Sequence, residues 1–391
     1  MKKNYVDDDF NEKLVEWHRY FHSIPEVGFD VDKTISFIIM KLKQWGVDYT
    51  LHNNNILTCY LGNGSKTLLL RSDTDALPIQ ENTDLEYKST NCNMHACGHD
   101  LHMAMLLGAI KLLAEEESKL SCKVVFLFQP AEEISAGAKE ALNCPIVRNS
   151  DAAIMLHCYP GIDVKPGTIL IPSEGNVTLC NDLLTIEIVG HGGHGAMPET
   201  CVDSISIASH LVLNIMNIQS REISALESAI ITFGKIYGGS VGNIIPEKVY
   251  LSGTIRTFDK EVQGFVHDRI NQIAFGTAKT FRGNVEVVIE EGCPSVICNA
   301  ALIKYISNTL NKDEIYNAPL EKYFNKGKIM FSEDFAYLSE VIPSALLLIS
   351  SGKIEDGYCY PLHHPKALFD EFTMANGVNA LVDLAINFNK V

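Results

Sequence analysis

The sequence predicts an α/β protein whose larger domain is interrupted by a smaller one of β-α-β-β-α-β order. Three observations carry that prediction. At 391 residues the chain exceeds what one hydrophobic core usually serves. In its first half, short apolar runs of strand-favouring residues alternate with stretches of helical period. The rhythm then changes in the middle, and the helix-and-strand alternation resumes after Pro294.

Taken in order, Leu14, Trp17, Phe21 and Ile24 recur at helical spacing, and 34–45 carries a second helical stripe. The runs 56–61, 67–71, 123–128 and 152–156 are short, apolar and rich in the residues of buried strands. Between the second and third of these a helix is expected to start on Asp100 as its N-cap and to run through Leu101, Met105, Leu106 and Ala109 to Leu113. In the middle, 183–189 alternates as a strand, 202–216 has helical period, 230–236 and 249–258 read as strands, and 262–275 and 285–290 add a helix and a strand. That order is the signature of a ferredoxin-like unit. The expected division is 1–181 with 294–391 for a discontinuous larger domain, and 182–293 for the insert.

A formal net charge of −16 with no Lys/Arg cluster argues against a nucleic-acid partner, so a small substrate is expected. The longest apolar runs, such as 345–349, fall far short of the roughly 20 residues that cross a bilayer, and no membrane span is expected. The first residues, with Lys2 and Lys3 followed by Asp7, Asp8 and Asp9, lack the apolar stretch of a secretory signal, which makes the cytoplasm the expected location. Eleven cysteines without framework spacing agree with reduced thiols there.

The chemistry concentrates in a few segments. In His95-Ala-Cys97-Gly-His99-Asp100-Leu-His102, period-two spacing turns Cys97 and His99 the same way, and a thiolate beside an imidazole suits first-row divalent ions. Thiolate charge also lets Cys97 bridge two such ions. A buried thiol, with imidazoles bonded to backbone carbonyls, accounts for the same residues, and the motif alone does not separate the two. At the end of the strand 123–128, Glu132 and Glu133 stand side by side; one can hold metal while the other acts on a water as general base, although an acidic solvated loop looks the same in sequence. His157 and His363 each follow a strand-like run, and open α/β sheets gather ligand-binding groups at the carboxyl ends of their strands.

Together with Arg71-Ser-Asp-Thr-Asp75-Ala-Leu-Pro78, Met94-His-Ala-Cys-Gly-His-Asp100, Phe128-Gln-Pro-Ala-Glu-Glu133 and Gly190-His-Gly-Gly-His194, the motifs Asn243-Ile-Ile-Pro246, Gly253-Thr-Ile-Arg256-Thr, Ser332-Glu-Asp-Phe335 and Leu362-His363 span nearly the whole chain. In these segments the sequence resembles the M20 metallopeptidase clan, and within it the amidohydrolase branch of N-acyl-amino-acid amidohydrolases, hippurate hydrolases and plant auxin-conjugate hydrolases. The resemblance implies a dinuclear-metal catalytic domain with an inserted lid and dimerisation domain. It implies two divalent cations per subunit, Zn or Mn with Ni or Co also compatible, held by Cys97, His99, Glu133, His157 and His363, with Cys97 shared. Glu132 becomes the general base. Asp75 matches a carboxylate that in the wider clan supports a ligand histidine. His194, Asn243 and Arg256 match lid residues that contact the substrate. In the family, this histidine reaches the carbonyl oxygen from a partner subunit, so a homodimer or homotetramer is implied. Three departures stand out: Asp73 where the peptidase branches have a ligand His, and His191 and Glu199 where relatives often carry a basic residue and a His.

The implied reaction is hydrolysis of an N-acyl amino acid to a carboxylic acid and an amino acid. A carboxypeptidase or dipeptidase using the same machinery is the competing enzyme reading. A catalytically silent metal-binding protein is a third, although it gives no reason for Glu132 beside a full ligand set.

Overall fold

A computed structural model describes residues 4–312 and 317–388, and the chain divides into two units: 1–177 with 296–329 and 333–391, and 178–295 with 330–332. It is a mixed α/β fold. In the first unit four parallel strands lie side by side in the order Lys123–Gln129, Thr67–Asp73, Ala152–Tyr159, Ser344–Ser350. Antiparallel Leu57–Leu61 and Tyr49–Leu51 extend one edge, and the short strands Ile297–Cys298 and Gly175–Asn176 extend the other. The four central strands are buried almost without interruption because helices cover the sheet, which is why they read as continuous apolar runs.

The helix His99–Glu115 is buried on nearly every side, with Asp8–Ser23 and Thr373–Asn387 packed against it. Asp8–Ser23 is amphipathic, burying Phe10, Leu14, Trp17 and Phe21, and Asp7 caps it by accepting the Phe10 N–H at 2.8 Å. The helix Asp32–Trp45 stops at Gly46, whose left-handed φ of 69° returns its N–H to the last turn. One expectation from the sequence changes. The buried helix starts at His99, with Gly98 (φ 83°) as its cap, because the Asp100 carboxylate is turned toward two histidines rather than toward the helix amides alone.

In the second unit the antiparallel order is Ala229–Gly238, Lys248–Thr257, Asp182–Val189, Asn284–Glu290. The helices Ser204–Asn217 and Lys260–Thr280 form a common core with its strands, and each is capped by an aspartate, Asp203 or Asp259. Alternating burial along Asp182–Val189 follows from one covered and one open face. A two-stranded ribbon, Gly193–His194 against Ile244–Ile245, stands apart from this sheet. Among the described residues, no helix is long and apolar enough to cross a membrane.

Candidate metal centre

The carboxyl ends of the four parallel strands carry the predicted groups. Asp73 ends the strand Thr67–Asp73 and Asp75 follows it; Glu132 and Glu133 follow Gln129; His157 lies in Ala152–Tyr159; His363 comes after Ser344–Ser350. Cys97 and His99 enter from the segment that starts the buried helix. The donor atoms fall into overlapping groups lying within 4.8 Å of one another: Cys97 with His99 and His157, Cys97 with Glu133 and His363, and His99 with Glu132 and Glu133. Cys97 therefore belongs to both halves of the cluster.

Local bonds fix how these side chains present themselves. His99 Nδ1 donates to the Asp75 carbonyl oxygen at 2.8 Å, and His157 Nδ1 donates to the Cys158 carbonyl oxygen at 2.7 Å, so both rings offer Nε2 as the lone-pair nitrogen. Cys97 Sγ lies 3.6 Å from His157 Nε2, and His363 Nε2 lies 3.4 Å from Glu133 Oε2. The Asp75 carboxylate accepts the backbone N–H groups of Glu132 at 3.0 Å and Glu133 at 3.2 Å. The main-chain oxygen of Asp75 orients His99, its carboxylate lies 4.0 Å from the same ring nitrogen, and that carboxylate also shapes the turn that holds the two glutamates. Ala131, just before them, and His363 both adopt left-handed φ, 60° and 64°, a conformation that costs energy and persists only where surroundings enforce it.

The donor set fits divalent cations. His99 Nε2 and Glu133 Oε1 are buried without a hydrogen-bond partner, which is costly unless something else satisfies them. Burial, followed by mutual repulsion with Glu333, Asp75 and each other, holds Glu132 and Glu133 well above the usual carboxylate range. Burial also pushes the Cys97 thiol up and the His99 imidazole down to about 3. Crowded buried acids beside neutral imidazoles are poised to gain from positive charge.

A model of Peptidase family M20/M25/M40 matches residues 69–387. The chain belongs to that family. It is 36% identical over 364 residues to the N-acetyl-L-cysteine deacetylase of Bacillus subtilis (strain 168), covering 92% of this chain and 84% of that protein. It is 33% identical over 383 residues to the N-acetyldiaminopimelate deacetylase of Lactococcus lactis subsp. cremoris (strain SK11), covering 94% and 96%. Among solved structures, a dinuclear-metal-binding peptidase of the M20 family from Bacillus subtilis superposes with a TM-score of 0.84 at 26% identity, covering 98% of this chain and 99% of that one. This M20 protein is accordingly a metal-dependent hydrolase of amide bonds.

Sequence reasoning left several residues of the M20 site without a role. Arg71 is buried and bonded to Asp73 at 2.9 Å, Glu333 at 3.0 Å, Asp334 at 2.7 Å and Gln129 at 3.1 Å, and Asp334 N–H donates to Glu132 Oε1 at 3.3 Å. A single guanidinium thus gathers the acids beneath the glutamate pair. His102 takes the Cys158 N–H at Nε2 (2.7 Å), which leaves Nδ1 to donate to Asp73 at 2.6 Å. The signal was an arginine and an aspartate inside an otherwise apolar strand, but their partners come from residues up to 263 positions away.

His194, Asn243 and Arg256 sit in the second unit. His194 and Asn243 are exposed and meet through the ribbon, where Gly195 N–H donates to the Asn243 carbonyl at 2.9 Å. Arg256 is half-buried in the four-stranded sheet, opposite Ile230, and not in that ribbon.

Proposed function

We propose that this enzyme hydrolyses N-acyl amino acids, releasing a carboxylic acid and an amino acid. Cys97, His99, Glu133, His157 and His363 would hold two divalent cations, Zn or Mn, with Cys97 shared between them. The single observation that carries this reading is Cys97, whose sulfur belongs to the group with His99 and His157 and to the group with Glu133 and His363. When bound, the cations supply Lewis-acid activation of water and of the scissile carbonyl. Glu132 is the base. It takes the proton of the attacking water and returns it to the departing nitrogen, and burial among other acids raises its proton affinity toward that role. Asp75 holds the turn that carries Glu132 and Glu133 by accepting both of their backbone amides.

The second unit, with its β-α-β-β-α-β order, serves in this reading as the lid and dimerisation domain of a homodimer or homotetramer. His194 and Asn243 would meet the substrate amide, and Arg256 its carboxylate, for which a planar five-donor fork is suited. The relatives' names direct the choice of substrates: N-acetylcysteine and N-acetyldiaminopimelate first, hippurate as an aromatic acyl probe, and a dipeptide for the peptidase alternative. After metal is restored to chelated protein, the acetylated amino acids should turn over faster than the dipeptide, and Cys97→Ser should bind less than the full complement of metal. A dipeptide preference would transfer the protein to the peptidase reading; full metal occupancy and normal turnover in Cys97→Ser would remove the shared-thiolate centre.

A further inference from the structure

Beneath the segment that carries Cys97 and His99 lies a second cluster of histidines and acids. His18 and His22 stand one turn apart on the helix Asp8–Ser23 and are 3% and 4% exposed. Asp100, the residue after His99, offers one oxygen to both: Oδ2 is 3.1 Å from His18 Nε2 and 2.7 Å from His22 Nδ1. The opposite nitrogen of each ring meets another acid, His18 Nδ1 at 2.9 Å from Glu371 and His22 Nε2 at 3.1 Å from Glu81. Ionised carboxylates only accept hydrogen bonds, so a ring with one at each nitrogen carries both protons. Burial lowers the proton affinity of both rings, but the surrounding acids outweigh it. Arg19 adds two bonds of 2.8 Å to Glu371, so three cations (His18, His22, Arg19) face three carboxylates (Asp100, Glu81, Glu371).

The cluster joins segments that the metal centre needs at a fixed separation. The stretch from Ala96 to Asp100 contributes Cys97 and His99, and the stretch from His363 to Glu371 contributes His363. Three links between them bear on the argument. His363 N–H donates to the Ala96 carbonyl at 2.9 Å; the Phe369 ring lies where a Cβ on Gly98 would be 3.0 Å from it; and His18 links Asp100 to Glu371. The first two are a backbone bond and an apolar contact. The third is a charged bridge, and with His18 and Asp100 buried its charge-assisted bonds are costly to break.

We propose that His18 and His22 are positioning residues for the metal centre: His18 ties Asp100 to Glu371, and His22 ties it to Glu81, whose neighbour Asn82 donates its N–H to the Pro365 carbonyl at 2.8 Å, so that both rings set the spacing between the segment of Cys97 and His99 and the segment of His363. The inference rests on the ligand assignment proposed above. It gives the first helix a role in metal affinity although it supplies no ligand itself.

The test measures metal dissociation constants by titration calorimetry, and turnover as a function of Mn or Zn concentration, for wild-type, His18→Gln, His22→Gln and Leu310→Ala. Leu310 is fully buried and outside the cluster, so its variant reports on destabilisation alone. Both glutamine variants should bind metal about 10- to 100-fold more weakly while turnover at saturating metal stays within about threefold of wild-type. His18→Ala adds a second readout, because His18 and His22 line a cavity of about 350 Å³ that can admit a free imidazole. Added imidazole should restore its metal affinity. Unchanged affinity in both glutamine variants, with thermal stability lowered as in Leu310→Ala, would reduce the cluster to a part of the fold; so would a His18→Ala variant that imidazole does not rescue. If wild-type binds no metal, the ligand assignment fails and this inference falls with it.

Discussion

The candidate metal centre and the His194 ribbon present histidines in opposite ways. In the first, His99, His157 and His102 are buried and each ring has its Nδ1 bonded, to a main-chain oxygen or to Asp73. In the ribbon, His194 is exposed and its Nδ1 takes the nearby Ala196 N–H at 3.1 Å. Rings of the first kind are oriented by their own unit before anything binds; a ring of the second kind gains a defined position only from what it contacts. The contrast separates rings fixed by their own unit from an exposed one, and under the proposed roles variants on the two sides should behave differently.

The largest effect is expected at the glutamate pair. Glu132→Gln should keep its metal yet lose about two to four orders of magnitude in turnover, since a positioned base contributes that much. Glu133→Gln should lose metal instead. Metal content by elemental analysis, together with single-turnover rates, checks both; equal metal content and equal activity in the two variants would erase the distinction between base and ligand.

Next in size is His194→Ala. If its hydrogen bond forms as the carbonyl oxygen becomes charged, turnover should fall about 10²- to 10³-fold with little change in KM, the behaviour of a lost oxyanion donor. Mixing inactive His194→Ala with inactive Glu132→Gln sharpens the comparison. A ribbon that acts across a dimer restores one intact site per mixed dimer, and activity returns after subunit exchange. No recovery after confirmed exchange would leave His194 either acting within its own chain or serving only the fold.

Asp75→Asn probes how far the pre-built side depends on one carboxylate. The side chain accepts two backbone amides with its two oxygens, and an asparagine offers only one. One buried amide is left unpaired, at a cost of about 1–3 kcal/mol in stability, read from denaturant unfolding of the metal-free protein. Burial raises the Asp75 carboxyl to about 7, ahead of any neighbouring charge. A stability equal to wild-type would mean that the turn at Ala131 holds the glutamates unaided.

The same contrast explains what the sequence made legible. Period and composition located the four central strands, the buried helix and the six elements of the second unit, because full burial and one-sided burial leave different patterns along a chain. The candidates Cys97, His99, Glu132, Glu133, His157 and His363 stood out because each lies after a strand-like run or beside the start of a helix. Arg71, His102, Glu333, Asp334 and the His18–His22–Asp100 cluster did not. Their meaning lies in who faces them, and spacing along the chain carries no trace of a pairing such as His18 with Glu371. Asp75 was visible as a motif residue, but which of its oxygens does what depends on the fold of the loop beside it.

Arg256 is expected to give the smallest effect and the cleanest test of substrate class. It is half-buried on a strand of the second unit, where its backbone is paired with Ile230. A substrate carboxylate is charged before and after the reaction, so a fork that binds it stabilises ground state and transition state alike. Arg256→Ala should therefore raise KM about tenfold, the worth of one charge-assisted hydrogen bond, and leave kcat nearly unchanged. The same variant should barely alter KM for an N-acyl amine that lacks the carboxylate. Equal losses on both substrates would show that Arg256 supports the sheet rather than reading the amino acid, and would return the carboxylate-binding role to a residue elsewhere in the chain or in its partner.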